Sequence, residues 1–269
     1  MTFVPDPTAE RLPTTAIEVY QTRGGVPVHV KREDTCWPWP PLSKARGVWG
    51  AIQSRPGQNV AVVDTGRSVN GLLVTTIART LGRQVRVGFP RYVKDQPEAV
   101  TNTAAFAVRL GADLVPIPAN RQFVMRAAMA RLLEPGWFLF PTGLRLPETV
   151  SAVAAEAAGV PAGYRSVVVP TGTGTHLAGL LRTFPGDVVA VQGYARPADR
   201  FRADVRRMSG VQRQYTLITS FLDYFEARPD RLPPFPANMY YEVKAWAWLN
   251  RPGIAEGLPQ PILFWNIGA

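Results

Sequence analysis

Around two thirds of the way along, the chain reads Val167-Val168-Val169-Pro170-Thr171-Gly172-Thr173-Gly174-Thr175-His176-Leu177-Ala178-Gly179-Leu180. An apolar run enters a turn rich in glycine and threonine and leaves it in a helical pattern. Glycines let backbone N–H groups crowd around an anion, threonine hydroxyls add donors, and the following helix points its positive end at the charge. The stretch predicts a strand, a phosphate-binding loop and a helix. An ordinary strand-to-helix turn without a ligand is the alternative.

Two familiar phosphate loops do not fit this turn. A Walker loop ends in a Lys-Ser/Thr pair, and a dinucleotide-binding turn has the spacing GxGxxG. Neither pattern occurs between Thr171 and Thr175 or directly after them. From these residues alone, the kind of phosphate is left open.

The flanking sequence alternates between apolar strands and amphipathic helices, which is typical of an α/β architecture with mainly parallel strands. The predicted strands are Val26–Lys31, Asn59–Val63, Val85–Pro90, Gly111–Ile117, Ser166–Val169, Val188–Val191 and Pro261–Trp265. The predicted helices include Leu72–Leu81, Pro97–Leu110, Glu148–Ala158 and Tyr241–Leu249. Residues 195–238 show few clear strands.

Composition narrows the class of protein. The 269 residues, 46% of them hydrophobic, are enough to form a substantial core in one large domain or two lobes. No run approaches the roughly 18 apolar residues of a membrane span, and the first residues do not resemble a signal peptide, so we expect a cytoplasmic protein. The only cysteine, Cys36, excludes an intramolecular disulfide, and with two histidines in the chain we predict no metal site.

The net charge of +10 would suit a polyanionic partner such as nucleic acid, although the arginines are spread along the chain and also fit a bias of genome composition. Only four of the 30 basic residues are lysines: Lys31, Lys44, Lys94 and Lys244. Any Schiff base with a lysine of this chain must therefore form at one of these four residues.

Several motifs stand in an order that resembles a known family. Val30-Lys31-Arg32-Glu33-Asp34 is followed by Ser43-Lys44-Ala45-Arg46, then by the Thr171–Thr175 turn, by Tyr241-Glu242-Val243-Lys244, and by the terminal Asn266-Ile267-Gly268-Ala269. The ordered set resembles the fold type II, tryptophan-synthase β-like, pyridoxal-phosphate (PLP) enzymes. It is nearest the branch of 1-aminocyclopropane-1-carboxylate deaminase and D-cysteine desulfhydrase, and the likeness covers nearly the whole chain.

The resemblance implies a two-domain α/β protein with mainly parallel, helix-flanked sheets and a cofactor cleft between the domains. Residues 1–45 and 145–269 would form the large cofactor-binding domain, and residues 46–144 the small one. The implied cofactor is pyridoxal 5'-phosphate, and the family suggests a homodimer.

The resemblance also implies roles for individual residues. Lys44 would form the Schiff base and then act as a base. The other cofactor-binding residues would be Asn70, Thr171, Gly172, Thr173, Gly174, Thr175 and Asn266. The catalytic residues besides Lys44 would be Ser68, Tyr224, Tyr241 and Glu242. An ungapped match puts the family's Ser-Asn pair on Ser68 and Val69, whereas a shift of one residue restores Asn70 and displaces Ser68.

Two departures from the family pattern affect the expected chemistry. Ile267 stands where the branch has a threonine that meets the pyridine nitrogen, and Val243 replaces a glycine. Three hypotheses follow: a lyase or deaminase of a free amino acid; an enzyme that modifies an amino acid or amine attached to a nucleotide or nucleic acid, as in DNA base hypermodification; and a non-catalytic relative used for binding or assembly.

Overall fold

The computed structural model describes residues 12–37, 42–64, 69–91, 98–119, 121–193, 196–219 and 232–268. The chain divides into two compact units. One contains Ala45–Glu148, and the other contains Pro13–Cys36, Pro41–Lys44 and Thr149–Ala269. No helix in these described ranges is long and apolar enough to cross a membrane.

Strands and helices alternate along most of the chain. In chain order they are β1 (Ile17–Gln21), β2 (Pro27–Arg32), α1 (Ala45–Gln53), β3 (Asn59–Val63), α2 (Asn70–Thr80), β4 (Val85–Pro90), α3 (Glu98–Arg109), β5 (Asp113–Ile117), α4 (Gln122–Leu132), β6 (Trp137–Leu139), α5 (Pro147–Ala158), β7 (Ser166–Thr171), α6 (Thr175–Thr183), β8 (Asp187–Gln192), α7 (Ala198–Ser209), β9 (Thr216–Ile218), α8 (Glu242–Leu249), α9 (Ile254–Gly257) and β10 (Ile262–Asn266).

The first unit is built on a four-stranded sheet in the order β5-β4-β3-β6, in which the described strand pairs are parallel. Its strands are short and largely apolar, as expected of parallel strands covered by helices. Ala61 and Val63 of β3 pack with Met125 and Met129 of α4 in one buried cluster.

The second unit contains a six-stranded sheet in the order β1-β2-β10-β7-β8-β9. The strands from β2 to β9 are parallel to their neighbours, and only the edge strand β1 pairs antiparallel, with β2. Because the carboxyl ends of parallel strands meet at one edge, the residues that follow β7, β8 and β10 come together there.

The core of the second unit lies on both faces of this sheet. Val167 and Val169 of β7 pack on the face covered by α6 and α7, whereas Val168 packs on the face covered by α8. β7 is thus buried on both sides, which explains the continuous apolar run before Thr171.

The α/β prediction is confirmed, and most predicted elements agree with the structure to within one or two residues. The sequence reasoning missed the short strands β1, β6 and β9 and the helices α4, α7 and α9. Strands of three to five residues give little periodicity, and the sequence of α7 is dominated by polar and charged residues.

Candidate active site

The turn between β7 and α6 has the geometry of an anion-binding loop. Gly174 has a φ of +86°, and a Cβ atom there would lie 2.6 Å from a methyl of Val205 in α7, so this position requires glycine. The Thr173 and Thr175 hydroxyl oxygens lie 3.0 Å apart. No side chain caps the N-terminus of α6 in the described structure, and N–H groups at an uncapped helix N-terminus suit an anion.

Lys44 lies in the same unit, directly before α1. The preceding Ser43 donates its backbone N–H to the carbonyl of Ile267 at 3.0 Å, and Leu42 forms an isolated bridge with Gly268. Residues 42–44, which we call the lysine loop, are therefore anchored to the residues that follow β10. Lys44 itself is half-buried.

The other described lysines have structural partners. The amine of Lys31 lies 2.5 Å from a Glu156 carboxylate oxygen, and the amine of Lys244 donates to the carbonyl of Gly193 at 2.7 Å. Lys94 lies outside the described residues. The Lys31 and Lys244 side chains are buried in these contacts, and the assignment of Lys44 as the Schiff-base lysine stays a prediction that rests on its place beside the residues that follow β10.

A buried histidine connects α6 to the lysine loop. His176, in the first turn of α6, shares a hydrogen bond through Nε2 with the Ser43 hydroxyl. Burial, and secondarily the charge of Lys44, hold the pKa of His176 well below its ordinary value. The imidazole is therefore neutral at physiological pH.

Glu242 is the first residue of α8 and is completely buried. Within the described chain neither of its carboxylate oxygens has a partner in hydrogen-bonding geometry. Burial raises the pKa of Glu242 to about 8. Two weaker effects lower this pKa and offset part of the increase: nearby backbone N–H groups, including those of Ile267 and Asn238, and the charge of Lys44. A protonated carboxyl group thus lies near Lys44 at neutral pH.

Tyr241 and Lys244 attach the start of α8 to the ends of β7 and β8. A Cβ atom on Gly193 would lie 2.5 Å from a ring carbon of Tyr241, so the ring packs directly over that backbone. The N–H of Gly193 donates to the carbonyl of Thr171 at 2.9 Å. The predicted residues Tyr241 and Glu242 therefore lie at the carboxyl edge of the six-stranded sheet, where β7 leads into the phosphate loop.

The remaining predicted residues differ in placement. Asn266, fully buried at the end of β10, donates its amide to Asp34 at 2.8 Å and to the carbonyl of Pro236 at 2.9 Å, which is a structural arrangement. Asn70 begins α2 in the first unit. Ser68 and Tyr224 lie outside the described residues.

Sequence reasoning missed Ser43, His176 and Gln192 as site residues. His176 directly follows the predicted loop, and Gln192 is a polar residue at the end of the apolar run of β8. Both positions gave a weak indication in the sequence of a role in the site. Their burial and their contacts depend on residues distant in sequence.

These residues fit a PLP cofactor. The loop offers neutral N–H and hydroxyl donors for a phosphate, Lys44 offers an amine, and Glu242 offers a buried carboxyl group with no partner in hydrogen-bonding geometry among the described residues. Ile267, half-buried against the core of the second unit, brings only an apolar side chain to this edge of the sheet.

No family model matches the chain. A curated protein, the glycyl-dTMP PLP-dependent decarboxylase of Pseudomonas phage M6, is 35% identical over 275 residues that cover 94% of this chain and 98% of the relative. The solved structure of an ACC deaminase homologue has a TM-score of 0.77 at 18% identity and covers 97% of this chain and 92% of that one. A fungal L-serine ammonia-lyase from Rhizomucor miehei has a TM-score of 0.69 at 15% identity, with 96% and 93% covered.

The fold and the site define an α/β enzyme of the PLP-dependent class, and its cofactor is pyridoxal 5'-phosphate. The chain belongs to the same family as the phage PLP-dependent decarboxylase, to which it is similar over 94% of its length, and it has the fold of the fold type II PLP enzymes. The family and the cofactor predicted from the ordered motifs are thus confirmed. The domain boundaries and the individual site residues stay predictions.

Proposed function

We propose that this protein is a PLP-dependent decarboxylase that acts on a glycyl group carried by a thymidine nucleotide. The observation that carries the proposal is the 35% identity to the phage glycyl-dTMP decarboxylase, which extends over 94% of this chain and 98% of the relative. The structural neighbours, at 18% and 15% identity, support the fold and leave the reaction open.

When bound, PLP acts as an electron sink for the bond that breaks at the α-carbon of an amino acid. The protein must then supply a proton, because decarboxylation replaces the carboxylate on that carbon by hydrogen and releases CO2. We assign this proton to Lys44 Nζ, the amine that is displaced when the substrate binds. Lys44 would thus hold the cofactor between turnovers and protonate the α-carbon during them.

Glu242 would help to retain protons in this site. Its pKa of about 8 means that the buried carboxyl group is uncharged at neutral pH. An uncharged carboxyl group can donate a hydrogen bond and does not repel the carboxylate of an incoming amino acid. Neutral His176, held by Ser43, likewise adds no charge near Lys44.

An arginine-rich helix next to the phosphate loop favours a substrate that is part of a nucleic acid. α7 packs against Gly174 through Phe201 and Val205. Four arginines of this helix are exposed, namely Arg200, Arg202, Arg206 and Arg207. Arg202 stacks over the ring of Tyr215 at 4.9 Å, and Arg207 pairs with Asp204 at 2.6 Å. Exposed guanidinium groups at helical spacing suit a phosphate backbone.

The test is a reaction of the purified holoenzyme with glycyl-dTMP and with an oligodeoxynucleotide carrying the same modified thymidine, analysed by mass spectrometry. We expect the product to have lost CO2 and kept its nitrogen, and in D2O to carry one deuterium at the α-carbon. Release of ammonia from either substrate, or turnover only of free amino acids, would refute the proposal. Those results would favour the lyase or deaminase hypothesis.

A further inference from the structure

Gln192 has a buried carboxamide with no hydrogen-bond partner in the part of the chain that the structure describes. It is the last residue of β8 and is 2% exposed. Across the described residues neither Oε1 nor Nε2 has a hydrogen-bond partner. A buried amide with unmet donors and acceptors is rare in folded proteins, and at a functional site it indicates a group that binds from outside the chain.

The strand register places this carboxamide beside the phosphate loop. Gln192 pairs with Thr171, the last residue of β7 and the first of the loop. Residues paired across neighbouring strands project from the same face, with Cβ atoms about 5 Å apart. Because Val188 and Ala190 of β8 pack on the face covered by α6, the alternation of the strand directs Gln192 toward the same face.

The phosphate loop contains neutral donors only. Residues 171–181 include no lysine or arginine, and the one titratable side chain among them, His176, is uncharged because burial lowers its pKa. A phosphate dianion held without a cation needs several N–H or O–H donors directed at its oxygens. A buried glutamine beside the loop can supply such a donor, whereas a glutamate would repel the anion.

We infer that Gln192 binds the phosphate group of the cofactor, with its Nε2 donating a hydrogen bond to a phosphate oxygen. The inference rests on the Thr171–Thr175 turn being the phosphate site, and it does not depend on which reaction the enzyme catalyses. It adds a cofactor-binding residue that comes from β8 instead of from the loop itself.

The test compares PLP with pyridoxal, which lacks the phosphate, in titrations of the apoprotein followed by absorbance. We expect Gln192→Met to weaken PLP binding by roughly tenfold to a hundredfold, the loss typical of one hydrogen bond to a charged group. Gln192→Glu should weaken it further. Neither variant should change the affinity for pyridoxal, and the 31P resonance of bound PLP should shift in Gln192→Met.

The control is Gln214→Glu, an exposed glutamine close in sequence, which should leave both affinities unchanged. Circular dichroism and thermal melts establish that each variant folds, and Gln192→Asn, a shorter amide, replaces Gln192→Met if that variant does not. Equal weakening of PLP and pyridoxal binding would show a purely structural role. Unchanged PLP binding, with or without a higher KM for the nucleotide substrate, would also overturn the inference.

Discussion

Ser43 Oγ and His176 Nε2 share a buried hydrogen bond between residues that are 133 positions apart. The bond joins the residue before Lys44 to the first turn of the helix that follows the phosphate loop. The amine and the phosphate loop of the candidate site are thereby linked within one unit. Substitutions of His176 measure how much this link contributes to stability.

We expect His176→Leu to lower the free energy of unfolding by about 1–3 kcal/mol, because the Ser43 hydroxyl is left buried without its partner. His176→Gln, which can keep a hydrogen bond to Ser43, should lose less. Urea denaturation of the apoproteins measures both values. Equal losses in the two variants would show that packing, and not the hydrogen bond, is what His176 provides.

Glu242 should make the stability of the protein depend on pH. Its pKa rises from 4.5 to about 8 on folding, so the folded protein keeps a proton that the unfolded chain has released. Its contribution to stability is present below about pH 4.5 and is lost as the pH rises toward 8. Glu242→Gln, which is always uncharged, should be more stable than wild type near pH 8 and similar near pH 4.5 in urea denaturation of the apoproteins. A difference that does not change between these pH values would contradict the raised pKa.

Lys44→Ala should abolish the visible absorption band of the lysine-bound cofactor and lower activity by roughly a thousandfold or more. The matched control is Lys244→Met, because Lys244 is a buried lysine whose amine donates to the Gly193 carbonyl. This control should reduce stability and keep the band, which borohydride reduction then removes. Loss of the band in Lys244→Met alone would show that Lys44 is not the Schiff-base lysine.

Gly174→Ala should impair both stability and cofactor binding. The new methyl would lie 2.6 Å from Val205 in a backbone conformation with φ of +86°. Gly210→Ala is the control. Gly210 follows α7 with a φ of +71°, and no atom lies within 4 Å of the position of an alanine Cβ. The Gly210→Ala variant should therefore lose only the conformational free energy of about 1 kcal/mol. Titration with PLP should separate the two variants, and equal affinities would show that the backbone of Gly174 does not shape the phosphate site.

Arg202→Ala combined with Arg206→Ala should weaken binding to a single-stranded oligodeoxynucleotide. If each arginine contacts one phosphate, the slope of log affinity against log salt concentration should become shallower by about 1.4. Arg126→Ala with Arg131→Ala removes the same charge from α4, in the other unit, and is the control. We expect only the first pair to change the slope of binding affinity against salt concentration. Equal changes would indicate that net charge alone attracts the oligonucleotide.

The amino-acid sequence alone predicts the α/β alternation and the loop from Thr171 to Thr175. It also limits the Schiff-base lysine to four candidates. These features are local: apolar periodicity specifies strands and helices, and the left-handed backbone conformation at Gly174 favours glycine. The ordering of motifs then led to the fold type II family and its cofactor, which the relatives confirm.

Which polar groups are buried together depends instead on the packed fold. Folding pairs Ser43 with His176, commits the Asn266 amide to Asp34 and Pro236, and leaves the side chains of Glu242 and Gln192 without hydrogen-bond partners among the described residues. Strand register and desolvation set these properties, and both arise from residues far apart in the chain. The sequence therefore indicates where a phosphate binds, while the pKa values and unmet hydrogen bonds around it follow from tertiary packing.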